Sequence, residues 1–274
     1  MSDGDAGVSG TPEAASSSLP RARTNYLKSF GKFFLLGGYT LSRYLIFVFL
    51  RTLTATPEAK TNLVLERAHR WMKRSTRLAG FQVECRGQVP EGSYLIAPNH
   101  LSYADIIVLG SIFKCFFVAK DDVESWPIIG FLFKQTEQIS VPRNSRRGVL
   151  ATNKRVGERL TQGQSVCVFL EGTSSGGGEV LPFHASLLQP ALDAGVPVVP
   201  VAIRWTCEQP GVNVEEDIAY WKDHTLVPHL IRLLGLGGCR AIVTIGEPTL
   251  SGERDRKTWA VALHDEVASM LEEQ

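Results

Sequence analysis

The pattern of apolar and polar positions divides this 274-residue chain into three parts. Residues 1–24 are rich in small and polar residues and show no periodicity, which predicts a disordered tail. Residues 25–80 contain a long apolar run followed by a basic amphipathic stretch. From residue 81 onward, short β-rich runs alternate with helical stretches, which predicts a single α/β domain over 81–274.

The apolar run at 33–50 predicts a helix about 27 Å long, close to the thickness of a bilayer core. Arg43 lies near its middle, and Gly37 and Gly38 weaken it. A central arginine disfavours a simple span, so we expect the helix to lie in the interface or in one leaflet, with Arg43 reaching the headgroups. A buried core helix and a signal peptide are the alternatives, although no A-x-A cleavage site follows.

A second helix is predicted to begin at Thr56-Pro57 and to end before Gly80. One face carries apolar residues, and basic residues surround it (Val64, Ala68, Trp71, Met72 and Leu78; Arg67, Arg70, Lys73, Arg74 and Arg77). This composition is typical of a membrane-surface helix, so residues 25–80 are predicted to form a membrane-associated helical hairpin. The alternative is a helix that packs on the domain and leaves its basic face in solvent.

In the α/β part, seven runs predict strands (81–85, 93–97, 115–119, 138–141, 165–170, 197–203 and 241–245), with helices predicted at 145–160, 185–194 and 257–271. Strands that alternate with helices predict a mostly parallel sheet flanked by helices. Residues 207–238 carry few strand signals and are predicted to form an insertion between two late strands. This insertion contains Y-W-K-D-H-T-L-V-P-H.

Charge and cysteine content narrow the function classes. The net charge of +1 gives no general attraction to nucleic acid. The five cysteines are widely spaced and form no C-x-x-C pair, which argues against a disulfide framework or a structural zinc site. We therefore expect reduced thiols, no metal and no nucleic-acid partner.

The stretch N-H-L-S-Y-A-D at 99–105 follows a predicted strand, where open α/β sheets bind ligands. Asp105 can reach one imidazole nitrogen of His100, which would fix the tautomer of a general base. Ser102 can cap the helix that follows. The spacing alone does not separate a catalytic dyad from a polar capping turn.

Further strand ends carry polar groups. Glu171-Gly172-Thr173-Ser174 leads into a glycine-rich loop whose backbone N–H groups can bind an oxyanion or a phosphate. Glu171 can contact a substrate hydroxyl or hold the loop. Lys120 and Arg143 each follow a strand and would form an anion site if they meet at one sheet edge.

Together these blocks resemble the lysophosphatidate (1-acyl-sn-glycerol-3-phosphate) acyltransferase superfamily. The matching blocks are N-H-x-S-x-x-D at 99–105, V-P-R at 141–143, E-G-T-S at 171–174 and V-P-V-V-P-V at 196–201. The resemblance implies that His100, oriented by Asp105, deprotonates the hydroxyl of a lysolipid. That oxygen would attack the thioester of acyl-CoA or acyl carrier protein, without a cofactor.

The resemblance also implies the other substrate contacts: Lys120 and Arg143 would bind the acceptor phosphate, and Glu171, Gly172, Thr173 and Ser174 would position the acceptor. The implied product is phosphatidic acid, made at the cytoplasmic face of the membrane. Many members have an arginine where this chain has Ser174, so acylation of another lysolipid such as lyso-ornithine lipid is an alternative. A membrane-surface binding protein that lost catalysis is a more distant one.

Overall fold

The structure is a computed structural model that describes residues 22–126, 129–142 and 146–273. Most of the predicted tail, and Arg143, therefore lie outside the described residues. The strands are β1 (Gln82–Arg86), β2 (Leu95–Pro98), β3 (Cys115–Lys120), β4 (Ile139–Val141), β5 (Ser165–Cys167), β6 (Val198–Cys207) and β7 (Cys239–Ile245). The α-helices are α1 (Tyr26–Leu53), α2 (Pro57–Ala79), α3 (Tyr103–Ile112), α4 (Ile129–Gln135), α5 (Arg146–Thr161), α6 (Gln189–Ala194), α7 (Val214–Asp217), α8 (Leu226–Gly235) and α9 (Arg256–Glu272).

The strands form one sheet in the order β1-β7-β6-β2-β5-β3-β4. Every neighbouring pair is parallel except β6 and β7, which are antiparallel. Helices cover both faces, and each face buries its own apolar core. The predicted α/β fold with a mostly parallel sheet is therefore confirmed. Because β2, β3 and β5 are parallel, their carboxyl ends meet at one edge.

Strand β5 is shorter than the predicted run at 165–170. It ends at Cys167, and the chain continues through Val168–Leu170 as buried, irregular backbone. Val168 N still donates a hydrogen bond to Ile96 O (2.9 Å), so this segment stays beside β2. The continuation carries Glu171 to the same edge at which β2 delivers His100.

Helix α1 leaves most of its apolar surface uncovered. Among the described residues, it alone is long and apolar enough to cross a bilayer, and only 6% of its most apolar stretch is buried. Leu27 is 86% exposed and Phe34 71%. The helix contacts α2 and α8, so one side rests on the protein. An uncovered apolar face of this size is unusual for a water-exposed helix and favours a membrane-facing one over a buried core helix.

Helix α2 buries the apolar face that the sequence suggested for a membrane surface. Val64 and Met72 are buried against the domain, and Trp71 Nε1 donates a hydrogen bond to Thr40 Oγ1 (3.0 Å). Its exposed positions include Arg70, Lys73, Arg74 and Arg77. This arrangement favours the alternative interpretation, a helix packed on the domain with a basic outer face.

The insertion predicted at 207–238 lies between β6 and β7 and contains α7 and α8. Cys207 and Cys239 face each other at its base, with their Sγ atoms 3.2 Å apart. All five cysteines are free thiols. Burial raises the pKa of Cys167 well above the usual thiol value, which keeps it protonated and unsuited to act as a nucleophile.

Helices α2 and α3 approach closely at Gly110. A Cβ atom there would lie 1.9 Å from Met72 Sδ. We therefore expect Gly110→Ala to lower the free energy of unfolding by about 1–3 kcal/mol through overpacking. The matched control is Gly157→Ala in α5, where no atom lies within 4 Å of the new Cβ. This control is expected to leave stability unchanged or to raise it by about 0.5–1 kcal/mol. Urea unfolding measures both, and equal effects of the two substitutions would contradict the close approach.

Candidate active site

A large cavity lies between the carboxyl edge of the sheet and the N-terminal helices. Its volume is about 1190 Å³. The lining residues include aromatic side chains of α1 and α2 together with most of the predicted site (Tyr39, Tyr44, Phe47, Trp71, His100, Lys120, Gly172, Thr173 and Ser174). The structure therefore brings these predicted residues into one space, large enough for a lipid-sized ligand.

His100 stands just past the end of β2 and points one ring nitrogen at Asp105. His100 Nδ1 lies 2.9 Å from Asp105 Oδ2. The imidazole stacks on the Phe169 ring, with centroids 3.8 Å apart, and its side chain keeps 18% of its surface exposed. Nε2 hydrogen-bonds to no described residue, so it is the nitrogen left for a ligand. A buried carboxylate at Nδ1 holds the proton there and leaves Nε2 as the proton acceptor.

Asp105 is fully buried and accepts four hydrogen bonds. Oδ2 accepts from His100, from Leu101 N (2.7 Å) and from Ser102 N (2.7 Å), and Oδ1 accepts from Trp205 Nε1 (2.7 Å). Together with the Ser102 side chain, this carboxylate also forms a capping box at the start of α3. The contact between His100 and Asp105 and the helix cap are thus parts of one structure, and the capping contacts fix the carboxylate that faces the histidine.

Asn99 has a role that the sequence did not reveal. Its side chain is buried and donates through Nδ2 to Ile203 O (3.0 Å), while Oδ1 accepts from Ile203 N (2.7 Å). The amide therefore completes both backbone hydrogen bonds of β6 where β2 has ended. Only an amide offers one donor and one acceptor in this geometry. Asn99 therefore holds the beginning of the loop that carries His100 against the sheet.

Glu171 is buried, and both of its carboxylate oxygens are engaged in hydrogen bonds to the backbone. Oε1 accepts from His100 N (2.7 Å) and Oε2 accepts from Leu181 N (3.1 Å). Ser175 N donates to His100 O (2.9 Å) beside it. Of the two roles considered from the sequence, the geometry favours holding the loop: Glu171 fastens the backbone of His100 to the glycine-rich segment.

Burial raises the pKa of Glu171 to about 7, although the two backbone N–H groups act in the opposite direction. The folded state therefore holds this proton more tightly than the unfolded state. The contribution of Glu171 to the free energy of unfolding therefore falls as pH rises from about 4.5 to 7, by up to about 3 kcal/mol. Urea unfolding between pH 5 and 8 gives the free energy of unfolding as a function of pH for wild type and for Glu171→Gln. The difference between the two curves should show this fall. The exposed Glu179→Gln should give no such difference, and parallel curves for Glu171→Gln would contradict the assignment.

Position 172 has no room for a side chain and requires glycine. Its φ is +67°, and a Cβ would lie 2.9 Å from the His184 ring, which also lines the cavity. Thr173 is exposed beside it.

Residues 172–176 read G-T-S-S-G, which also matches the spacing of a hydrolase nucleophile elbow. Ser174 Oγ, however, donates to Tyr220 O (2.5 Å) rather than to a histidine, and no α-helix follows directly.

The predicted cation site is described only in part. Lys120 ends β3, is exposed and lines the cavity. Arg143 lies outside the described residues, so whether the two cations meet remains a prediction. The described residues contain no cluster of His, Cys, Asp and Glu that could hold a metal ion.

The insertion contributes to the cavity, which the sequence did not indicate. Tyr220, Trp221, Lys222 and His224 line it, and Tyr103 OH lies 2.9 Å from His229 Nδ1. The sequence signal was the cluster of aromatic and histidine residues in Y-W-K-D-H-T-L-V-P-H. Since 126 positions separate Tyr103 from His229, spacing could not pair them.

Comparison with known proteins gives three kinds of match. A family model described as Acyltransferase matches residues 80–204. The lyso-ornithine lipid O-acyltransferase of Brucella abortus is 32% identical over 208 residues, which cover 72% of this chain and 78% of the relative. The 1-acyl-sn-glycerol-3-phosphate acyltransferase of Neisseria gonorrhoeae is 40% identical over 111 residues, covering 40% of this chain and 44% of that protein.

A solved structure shares the fold. The 1-acyl-sn-glycerophosphate (LPA) acyltransferase of Thermotoga maritima superposes with a TM-score of 0.68 at 21% identity. The superposition covers 91% of this chain and 97% of the other.

Proposed function

Because this chain belongs to the family of lysophosphatidate and other lysolipid acyltransferases, we propose that it acylates the free hydroxyl of a membrane lysolipid. The acyl donor is the thioester of coenzyme A or of acyl carrier protein. The observation that carries this proposal is the His100–Asp105 pair, with Nε2 open to a lipid-sized cavity.

The chemistry follows from the orientation of the imidazole. Nε2 of His100 takes the proton of the acceptor hydroxyl while Asp105 holds the proton on Nδ1. The hydroxyl oxygen then attacks the thioester carbonyl, the carbon–sulfur bond breaks, and the proton on Nε2 passes to the departing thiolate. An ester and a free thiol result. His100 carries every proton in this scheme, so it calls for no cofactor besides the acyl donor.

The N-terminal helices suit a substrate held in a bilayer. Helix α1 presents uncovered apolar side chains on one side, and on the other contributes Tyr39, Tyr44 and Phe47 to the cavity wall. An acyl chain can therefore pass from lipid to cavity along one helix. With exposed basic residues on α2, this supports binding to the anionic, cytoplasmic face of the membrane, the location implied by the resemblance.

For the acceptor, we favour lyso-ornithine lipid over lysophosphatidate. The alignment with the Brucella lyso-ornithine lipid enzyme covers a larger share of both chains than the Neisseria alignment. Ser174 stands where many lysophosphatidate enzymes carry a phosphate-binding arginine, and its hydroxyl donates to the Tyr220 carbonyl. Lysophosphatidate is the second candidate, because Lys120 offers a cation at the cavity.

Acyl transfer by purified protein in detergent micelles tests the proposal. Labelled palmitoyl-CoA and palmitoyl-carrier protein are each offered with lyso-ornithine lipid or with lysophosphatidate. Ester product from lyso-ornithine lipid is the expected result. Product from lysophosphatidate alone would show that lysophosphatidate is the acceptor and would leave the proposed acyl transfer standing. No product with either acceptor and either donor would overturn the proposed function.

A further inference from the structure

Three aromatic side chains from separate parts of the chain meet beside the catalytic dyad. Tyr103 begins α3, two positions before Asp105; Trp126 follows the turn after β3; and Tyr220 belongs to the insertion. The Tyr103 and Tyr220 ring centroids are 5.2 Å apart, and those of Trp126 and Tyr220 are 6.0 Å apart, both edge to face. All three residues line the cavity that contains His100. We refer to them as the aromatic cluster.

The cluster is fixed relative to the reacting groups. Tyr220 N donates to Leu101 O (2.8 Å), next to His100, and Tyr220 O accepts from Ser174 Oγ. The insertion is thereby hydrogen-bonded both to the loop that carries His100 and to the glycine-rich loop that carries Ser174. Ser174, at the place of the family's arginine, thus links the cluster to the catalytic loops and adds no positive charge.

His229 is hydrogen-bonded to the hydroxyl of Tyr103. Burial, together with the neighbouring His224, lowers the pKa of His229 to about 4, so the ring is neutral at pH 7. Nδ1 lies 2.9 Å from the Tyr103 hydroxyl oxygen, whereas Nε2 is buried and has no hydrogen-bond partner among the described residues. In the tautomer of this neutral ring that carries its proton on Nε2, Nδ1 accepts from the Tyr103 O–H.

A phenol that donates its proton to a histidine has only oxygen lone pairs left for a further ligand. Lone pairs bind a donor such as an ammonium group and repel a phosphate. Aromatic ring faces have the same preference, because their quadrupole is negative at the face. Burial also raises the pKa of the Tyr103 hydroxyl, which keeps it a neutral phenol.

We propose that the aromatic cluster of Tyr103, Trp126 and Tyr220 is the subsite for a cationic amine in the headgroup of the lysolipid acceptor, with His229 as the positioning residue for Tyr103. The inference rests on the proposed function and adds its specificity determinant. The primary amine of an ornithine headgroup fits this chemistry, and Lys120, on the same cavity, is available for the headgroup carboxylate.

The test compares two acceptors in the same variants. The kcat/KM values of wild type, Tyr103→Phe and Trp126→Leu are measured with lyso-ornithine lipid and with lysophosphatidate, at equal mole fractions in mixed micelles. Tyr103→Phe removes the phenol oxygen and keeps the ring. It should lower kcat/KM for lyso-ornithine lipid about tenfold, mainly through KM, the size expected from losing one charge-assisted hydrogen bond. Activity with lysophosphatidate should be unchanged or higher.

The matched control is Tyr94→Phe, a buried core tyrosine outside the cavity lining, which should leave the ratio of the two activities as in wild type. Equal losses with both acceptors in Tyr103→Phe and in Trp126→Leu would overturn the inference, because a fold defect or a general positioning role acts on both. A wild type that acylates only lysophosphatidate would also overturn it and leave the proposed function standing. No activity with either acceptor would instead remove the proposed function.

A binding measurement on the wild-type protein tests the inference independently of turnover and of whether any variant folds. Calorimetry compares a short-chain N-acyl-ornithine with N-acyl-norvaline, which has the same carbon chain without the side-chain amine. Wild type should bind the ornithine compound about tenfold more tightly, and His229→Gln should narrow the gap. Equal affinity of the two compounds for wild type would contradict an amine subsite.

Discussion

Replacing His100 by alanine is expected to lower kcat/KM for acyl transfer by about 10²–10⁴-fold, the usual contribution of a positioned general base. The imidazole packs on one side against Phe169 and is partly exposed, so its loss should change the free energy of unfolding only modestly. Acyl transfer from labelled donor, with urea unfolding and liposome flotation on the same preparation, measures the three properties.

His264→Ala is the matched control. This histidine lies on α9, outside the cavity lining, and contacts Asp265 and the Val180 carbonyl. Its replacement should leave acyl transfer within about threefold of wild type, since surface substitutions act weakly. If His100→Ala kept wild-type turnover, the mechanism proposed above would be wrong. If it lost liposome binding together with turnover, the loss could not be assigned to chemistry.

Asp105→Asn is expected to damage both activity and stability. The carboxylate accepts from four N–H groups, and an amide of the same shape would turn its own NH₂ donor toward at least one of them. A buried group left without a partner costs about 1–3 kcal/mol. The histidine also loses the partner that fixes its tautomer, for which a loss of about 10³–10⁴-fold in kcat is expected by analogy with other carboxylate–histidine sites.

Trp205→Phe separates the two effects. It removes only the donor to Oδ1 and leaves the contact between Asp105 and His100 in place. Stability should fall by about 1–3 kcal/mol, comparable to one unsatisfied buried oxygen. The kcat should fall by no more than about tenfold. A loss as large as that of Asp105→Asn would show that Trp205, rather than charge at Nδ1, governs the histidine.

Local patterns made the fold and the contact between His100 and Asp105 predictable from the sequence. The strand-rich runs, and the polar residues just past them, follow directly from periodicity and from the rule that parallel strands end at one edge. His100 and Asp105 lie five positions apart, so their contact depends on local geometry. Gly172, Thr173 and Ser174 reached the cavity because β5 lies next to β2.

Contacts between distant segments were not predictable in the same way. Glu171 looks like a ligand residue in sequence, but the direction of its carboxylate depends on where the backbone N–H groups of His100 and Leu181 fall. The clamp from Asn99 to Ile203 spans 104 positions. The apolar face of α2 has the composition of a membrane surface and of a helix interface alike, and only the presence of α3 opposite Met72 decides between them.

Attachment to a bilayer through the uncovered face of α1, as proposed above, would have a kinetic consequence. A protein held at a bilayer by such a helix encounters its acceptor by lateral diffusion within the lipid layer, in two dimensions. The quantity that sets its rate is then the surface density of lysolipid, not the amount per volume of solution. Adding inert phospholipid at constant bulk lysolipid should slow the reaction in proportion to the fall in mole fraction. A chain truncated to remove α1 should respond to the bulk concentration of lysolipid instead.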